Sequence, residues 1–348
     1  MAPIILSTLL LAVGLGTTNT FASSRWLLAW MGIEINTLAI LPLMARQHHP
    51  WAVEAATKYF LAQATAAAVL LFASVTNAWL AGQWDVQQMS HPIPTTMVII
   101  ALALKLGVAP LHTWLPEVLQ GLDIPTGLIL STWQKLAPIA LILQLPPTNP
   151  TIFILLGLWS TFTGGWGGLN QTQLRKVLAY SSVAHLGWMF LVLPYSPYLT
   201  VLTLLAYISM TTSAFLVLML TNATTIKELA IAWPLTPGLA YSTPLILLSL
   251  GGLPPLTGFM PKWLILQELT KQDLAIPAAI AAFSALLSLY FYLRLCYTMV
   301  MTNIPNILLC KASWRIPPSR PCWPLALNTV MTIILLPQAP ALTALLTQ

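Results

Sequence analysis

Charge is what this sequence has least of: 14 Lys and Arg with 8 Asp and Glu among 348 residues, or 6%. Soluble domains carry about 25% charged residues, so a soluble globular class is excluded. The net charge of +6 does not bring back a nucleic-acid reading, because the basic residues are thinly spread and form no stripe. Cysteine is equally scarce. Cys296, Cys310 and Cys322 stand without a CxxC, which excludes a disulfide framework and a zinc or iron-sulfur ligand set and leaves them as apolar filler. Long polar linkers are missing too: the longest polar connection, 303–322, is still a loop, and no soluble domain fits between the apolar runs. No nucleophile with a base, no pair of catalytic carboxylates and no haem ligands can be assembled. Gly14-Leu15-Gly16 lacks the third glycine of a dinucleotide turn, and Gly164-Gly165-Trp166-Gly167-Gly168 has no Lys-Ser/Thr after it for phosphate. Both read as close helix packing through small residues. His48, His49 and His91 have no clustered partners, so no metal site is expected.

What is there is hydrophobic sequence, 57% of the chain, with a mean hydropathy of +0.81. Taking about 20 apolar residues as one crossing, the sequence predicts an all-α polytopic membrane protein of about eleven spans. They lie near 3–20, 26–44, 59–81, 93–115, 124–144, 151–169, 177–194, 199–221, 239–268, 276–302 and 323–345. The first is read as a span rather than a signal peptide, since it lacks a basic n-region and a small-x-small cleavage site, and no import sequence is visible. Alternate loops collect Arg46, Lys58, Arg175, Lys176, Lys227, Lys311, Arg315 and Arg320 on one side against Arg25 and Lys271 on the other. That bias places the N-terminus and the even-numbered loops inside and the C-terminus outside. The sequons at Asn170 and Asn222 fall on the basic side, where glycosylation would not reach.

One segment recurs. Leu106-Gly107-Val108-Ala109-Pro110 in the fourth span is repeated as Leu250-Gly251-Gly252-Leu253-Pro254 in the ninth, each followed by a second proline, Pro116 and Pro261. Gly/Pro-interrupted spans at matching places in two halves point to inverted-repeat transporters whose sites lie at the breaks. The expected organisation is a single membrane domain, 1–348, made of five-helix halves at 1–145 and 150–302 with a C-terminal helix, 323–345. The expected helix breaks lie near Gly107–Pro110 and Gly251–Pro261, with Pro254 in the second.

Ionisable residues at membrane depth are costly, and by default they mark function. Glu34 stands in mid-span and must be neutral, paired or facing a wet cavity; the plainer reading is a buried carboxyl fixing helix packing. Lys105, Lys135 and Lys262 are the matching cations. A lysine whose carboxylate partner can engage and release is a switchable proton carrier, and the plainer alternative is snorkelling to the interface. His112, just past the first break, and His185, in the second helix of the second half, are candidate proton relays or hydrogen-bonded core histidines. Since Glu34 holds the comparable helix in the first half, His185 is expected at the corresponding place.

The stretches 22–37, 54–61, 104–117 and 174–182 together resemble the vertebrate chain 2 family of antiporter-like subunits of respiratory complex I, over nearly the whole chain and most weakly after about residue 300. The resemblance implies a proton channel unit of the membrane arm, on a fold otherwise used by cation/proton antiporters. By motif, Glu34 matches the family's mid-span glutamate, Lys105 the lysine before the break, Lys135 the central lysine of the next helix and Lys262 the second-half lysine. Relatives commonly have fourteen spans, so three are expected to be missing at the N-terminus, and no long lateral C-terminal helix is seen. Position 279, where the second half would carry a central lysine, is Ala.

The resemblance also implies that no redox site or cofactor belongs to this chain, while the complex as a whole uses FMN, iron-sulfur clusters, NADH and ubiquinone. Implied partners are the other complex I subunits, especially membrane-arm chains 4 and 4L, and lipids including cardiolipin. The implied location is the mitochondrial inner membrane, N-terminus in the matrix and C-terminus in the intermembrane space. Two other readings stand beside it: a stand-alone cation/proton exchanger, and an assembly subunit whose buried charges only position helices.

Overall fold

The computed structural model describes residues 3–46, 49–89, 91–146, 149–232, 237–301 and 323–334, with 337, 341 and 344. Among them the structure is helical, with two isolated antiparallel bridges and no named strand. Six helices among the described residues are long and apolar enough to cross a bilayer, and Pro92–Leu106 and Tyr241–Gly251 are shorter apolar helices. Leu11, Phe72, Trp79, Leu155 and Phe283 point outward, each well over half exposed, while glycines and hydroxyl side chains pack inside. That inversion suits lipid, where small residues let backbones approach and large apolar ones cost nothing outside. The chain divides into two compact units, Met1–Leu156 and Gly157–Gln348.

In the first unit, α1 (Pro3–Ala22) and α2 (Trp26–Met44) pack closely because Gly16 and Gly32 face each other. A Cβ on Gly16 would come within 2.8 Å of the Gly32 carbonyl. Helix α3 (Pro50–Ala81) starts under His49, whose Nδ1 accepts from the Trp51 amide at 3.3 Å, and ends at left-handed Gly82. Helix α4 (Pro92–Leu106) stops at Gly107, φ +77°, and the chain resumes as α5 (Trp114–Gly121). The next span is expected to be continuous, but it is interrupted. Helices α6 (Ile124–Thr132) and α7 (Leu136–Gln144) are joined by a 3₁₀ turn at Trp133–Lys135. Pro138 accounts for it: the ring has no N–H for the carbonyl of Gln134 and crowds it, so the local backbone tightens, with the Leu136 amide bonding to Trp133.

Helix α8 (Pro150–Gly167) leads into the second unit, which contains α9 (Leu174–Val192), α10 (Pro197–Thr221) and α11 (Ile226–Ala232). After these come α12 (Pro237–Gly251), α13 (Phe259–Lys271), α14 (Ala275–Met301) and α15 (Trp323–Ile334). The expected span 239–268 is thus two helices, and 303–322 and most of 335–345 lie outside the described residues, with Lys311, Arg315, Arg320, Cys310 and Cys322.

Backbone details recur between the units. Before α2, Arg25 bridges Asp85, with Trp26 N donating to Trp84 O at 3.0 Å and Val86 N to Ser24 O at 2.8 Å. Before α9, Gln173 bridges Thr225, with Leu174 N donating to Thr224 O at 3.0 Å and Ile226 N to Thr172 O at 3.2 Å. The glycine contacts keep the same register: Gly16 lies against Asn36, and Gly164 lies against Ala184.

The two breaks also match, one residue away from the sequence alignment. Gly107 N bonds to Ala103 and Leu104, as Gly252 N does to Leu248 and Ser249; Leu111 N to Val108 matches Leu256 N to Leu253; Leu115 N to His112 matches Met260 N to Thr257. The left-handed cap is therefore Gly252, φ +83°, and Gly251 is the last helical residue. Identity around the prolines pairs Gly107 with Gly251, but Gly251 and Gly252 both lack a Cβ, and the cap's positive φ falls on Gly252. Pro110 and Pro254 do lie in the non-helical connections. Pro261 does not: it is the third residue of α13, where its missing N–H is one that the helix start leaves unbonded anyway.

Candidate functional site

Three side chains of the expected set meet in the first unit. Glu34, on α2, has Oε1 3.9 Å from the ammonium of Lys105, the penultimate residue of α4. The lysine side chain is 2% exposed and the glutamate 24%. The Thr37 hydroxyl, one turn on, lies 2.9 Å from the Glu34 carbonyl and 3.1 Å from its Oε2. Lys135 sits in the 3₁₀ turn, 3% exposed. Lys105 and Lys135 both line a cavity of about 20 Å³, together with Asn36, Tyr59, Trp114 and Gln134. About 10–15 Å³ of such space admits one water, and this one has polar partners for it. Lysine snorkelling is ruled out by burial for these residues and for Lys262, which is 9% exposed.

Neighbouring groups hold the first break in place. Trp114 Nε1 donates to Leu104 O at 3.0 Å, satisfying a carbonyl at the open end of α4. Tyr59 meets the Trp114 ring edge-on, centroids 5.8 Å apart, and Gln63 Nε2 donates to Lys105 O at 3.4 Å. Glu117 on α5 bonds Lys58 at 2.7 Å, and Lys58 bonds Glu54 at 2.7 Å, an exposed triad tying α5 to α3. His112, in the connection itself, is partly exposed and bonds the Pro110 backbone.

The second unit is built differently. Lys262 on α13 donates to Gly251 O at 2.8 Å, so a cation stabilises the open C-terminal end of α12 where the first unit uses an indole. By the shared register of the breaks, Lys262 stands at the place of Glu117, and Leu250 at that of Lys105. His185 is not at the place of Glu34. The bridges before α2 and α9 put Ser182 there and His185 at the place of Thr37. The His185 ring packs 5.6 Å from that of buried Tyr207, whose hydroxyl interacts with Ser182. Where the first unit has a carboxylate, the second has hydroxyls and an imidazole. Among the described residues no three His, Cys, Asp or Glu side chains converge as metal ligands.

The site residues not foreseen are Asn36, Gln63 and Gln134, three amides inside apolar helices, and Pro138, which sets the turn under Lys135. Their signal is plain once the fold is known: amides are seldom buried without a partner.

Residues 23–288 match the NADH:quinone oxidoreductase/Mrp antiporter transmembrane family, and residues 289–343 the NADH dehydrogenase subunit 2 C-terminus. NADH-ubiquinone oxidoreductase chain 2 of Tetraodon nigroviridis is 65% identical over 345 residues, 99% of each chain. The chain belongs to the NADH-ubiquinone oxidoreductase chain 2 family. The Salmo salar member of that family is 64% identical over 348 residues, the whole of both chains. A chain of respiratory complex I from Thermus thermophilus superimposes on this family member with a TM-score of 0.83 at 28% identity, covering 96% of this chain and 79% of that one. A chain of the Mrp complex from a Dietzia species shares the fold, with a TM-score of 0.81 at 17% identity over 97% of this chain and 76% of its own.

Proposed function

We propose that this chain, an antiporter-like membrane subunit of NADH-ubiquinone oxidoreductase, moves protons without carrying electrons. The observation that carries the reading is the Glu34–Lys105 pair, whose buried lysine shares a water-sized cavity with Lys135. A pair held at 3.9 Å is an ion pair without a hydrogen bond, so small movements of α2 against α4 engage or release it. While Glu34 is disengaged, Lys105 passes its proton through the cavity to a neutral Lys135 and is left neutral; re-pairing with Glu34 favours the charged form, so Lys105 takes up a fresh proton from water, and a charged Lys105 cannot take back the one on Lys135. The second unit continues the route with His185 and Lys262, and His112 serves the first break. No step requires a metal, a flavin or a quinone on this chain. Electron transfer from NADH to ubiquinone, with its FMN and iron-sulfur clusters, belongs to other subunits and supplies the charge shift that displaces the pair.

The same reading gives the chain eleven spans as two inverted five-helix halves, 1–145 and 150–302, with 323–345 appended. The matched breaks and matched bridges support it. It places the chain in the mitochondrial inner membrane with the N-terminus in the matrix and the C-terminus in the intermembrane space, beside chains 4 and 4L and against lipids such as cardiolipin. Reconstituted complex I carrying Glu34→Gln is expected to oxidise NADH with a lower proton-to-electron ratio than wild type. A wild-type ratio at full turnover would contradict the proposal. Reduced assembly at a wild-type ratio would favour a purely structural role for the pair, and ion flux from the purified chain alone would favour a stand-alone exchanger.

A further inference from the structure

Asn36 on α2 and Gln134 in the 3₁₀ turn form a side-chain bond, Gln134 Nε2 donating to Asn36 Oδ1 at 2.9 Å. Both amides line the cavity that Lys105 and Lys135 share. Asn36 is 2% exposed and lies two residues from Glu34, on the helix that must move if the Glu34–Lys105 pair is to open. Gln134 precedes Lys135 directly, in a turn that Pro138 has released from the regular α-helical ladder. A short stretch of 3₁₀ backbone inside a span is a hinge only if something sets its position, and this bond ties the turn to α2 through side chains.

The second unit supplies an internal comparison. In the register of the bridges, Asn36 corresponds to Ala184. Counted from the helix starts at Ile124 and Ala275, Gln134 corresponds to Ala285, Lys135 to Leu286 rather than to the expected Ala279, and Pro138 to Leu289, and α14 runs through without a 3₁₀ turn. The amide pair, the turn, the proline and the buried lysine are thus present together in one unit and absent together from the other. Packing alone gives no reason for that, because α14 crosses the same kind of bundle without any of them.

We propose that the Asn36–Gln134 amide pair is the positioning element for Lys135: it ties the 3₁₀ turn to α2, so that displacement of Glu34 and presentation of Lys135 to the cavity occur as one movement. The inference rests on Lys135 being a proton carrier, and the test separates the two. Complex I with Lys135→Met, Gln134→Met, Asn36→Leu, or the exchanged pair Asn36→Gln with Gln134→Asn is reconstituted, and protons moved per electron are measured per assembled complex. Gln134→Met keeps side-chain length and removes the donor; Asn36→Leu removes the acceptor and serves where Gln134→Met prevents assembly. The exchanged pair keeps the combined reach of the two amides. The expected result is the same loss of proton-to-electron ratio in Gln134→Met or Asn36→Leu as in Lys135→Met, and recovery in the exchanged pair. A normal ratio in Gln134→Met and Asn36→Leu beside a lowered one in Lys135→Met overturns the positioning role alone. A ratio that stays low in the exchanged pair assigns the loss to one residue and overturns the pair. A normal ratio in Lys135→Met overturns the carrier reading and this inference with it.

Discussion

Gly82, Gly107 and Gly252 all take positive φ, +68°, +77° and +83°, yet their surroundings differ. A Cβ at Gly82 would meet nothing within 4 Å; at Gly107 it would come 2.8 Å from Leu115 Cδ1, and at Gly252 2.8 Å from Lys262 Nζ. Left-handed backbone alone costs an L-residue about 1–2 kcal/mol. Gly82→Ala should therefore lower the thermal midpoint of the complex least and Gly107→Ala more. Gly252→Ala should also displace the ammonium from Gly251 O and lower the proton-to-electron ratio, which Gly82→Ala leaves at the level of wild type. Equal effects at all three would mean that the ammonium is not held where its 2.8 Å bond puts it. At this scale the sequence was legible for the charged residues, because a Glu or Lys in an apolar run is conspicuous, and Glu34, Lys105 and Lys135 do converge. It was not legible for Asn36 and Gln134, whose uncharged amides matter only once two helices bring them to 2.9 Å.

Between elements, the two broken helices end on different donors. Trp114→Phe keeps the ring and removes the indole N–H, leaving Leu104 O with only the bond from Gly107 N at 3.1 Å, and the loss of one such hydrogen bond costs about 0.5–1.5 kcal/mol. Scanning calorimetry of the complex should show that loss, and an unchanged midpoint would mean that water replaces the indole. Helix α11 offers a test outside the spans. Glu228 Oε2 accepts from Thr224 N at 2.6 Å, Thr224 Oγ1 at 2.8 Å and Thr225 N at 3.2 Å, while Thr225 Oγ1 accepts from Glu228 N at 3.3 Å, a reciprocal cap. The Thr224 N–H, above all, holds this carboxyl below its ordinary value. A depressed carboxyl contributes its stability above the ordinary glutamate range and loses it as pH falls through the lowered value. Amide protection factors in α11, taken against the intrinsic exchange rate at each pH, should therefore fall on acidification below the ordinary range, and Glu228→Gln should flatten that response. The breaks themselves were legible from Gly and Pro, though the cap falls on Gly252 rather than Gly251, because identity of letters is a weaker guide than the φ a cap requires. The interruption under Lys135 was signalled only by Pro138, three residues downstream.

For the whole molecule, the recurrence of bridges and breaks makes the differences between the units informative. One unit holds two buried lysines and an amide pair around a water-sized space, with a carboxylate paired to one of the lysines; the other holds hydroxyls, an imidazole and a lysine bound to a helix end. The alternation of loops and the scarcity of charge gave the membrane class directly. The placing of His185 was not accessible in the same way, since it depends on a bridge register that no residue motif encodes. The central claim is that Lys135 carries a proton in each coupled cycle. Its most direct test is the proton-to-electron ratio of complex I bearing Lys135→Met, measured in sealed proteoliposomes with NADH oxidation followed in the same sample. The account predicts a ratio below that of wild-type complex at any turnover rate, and a wild-type ratio would contradict it.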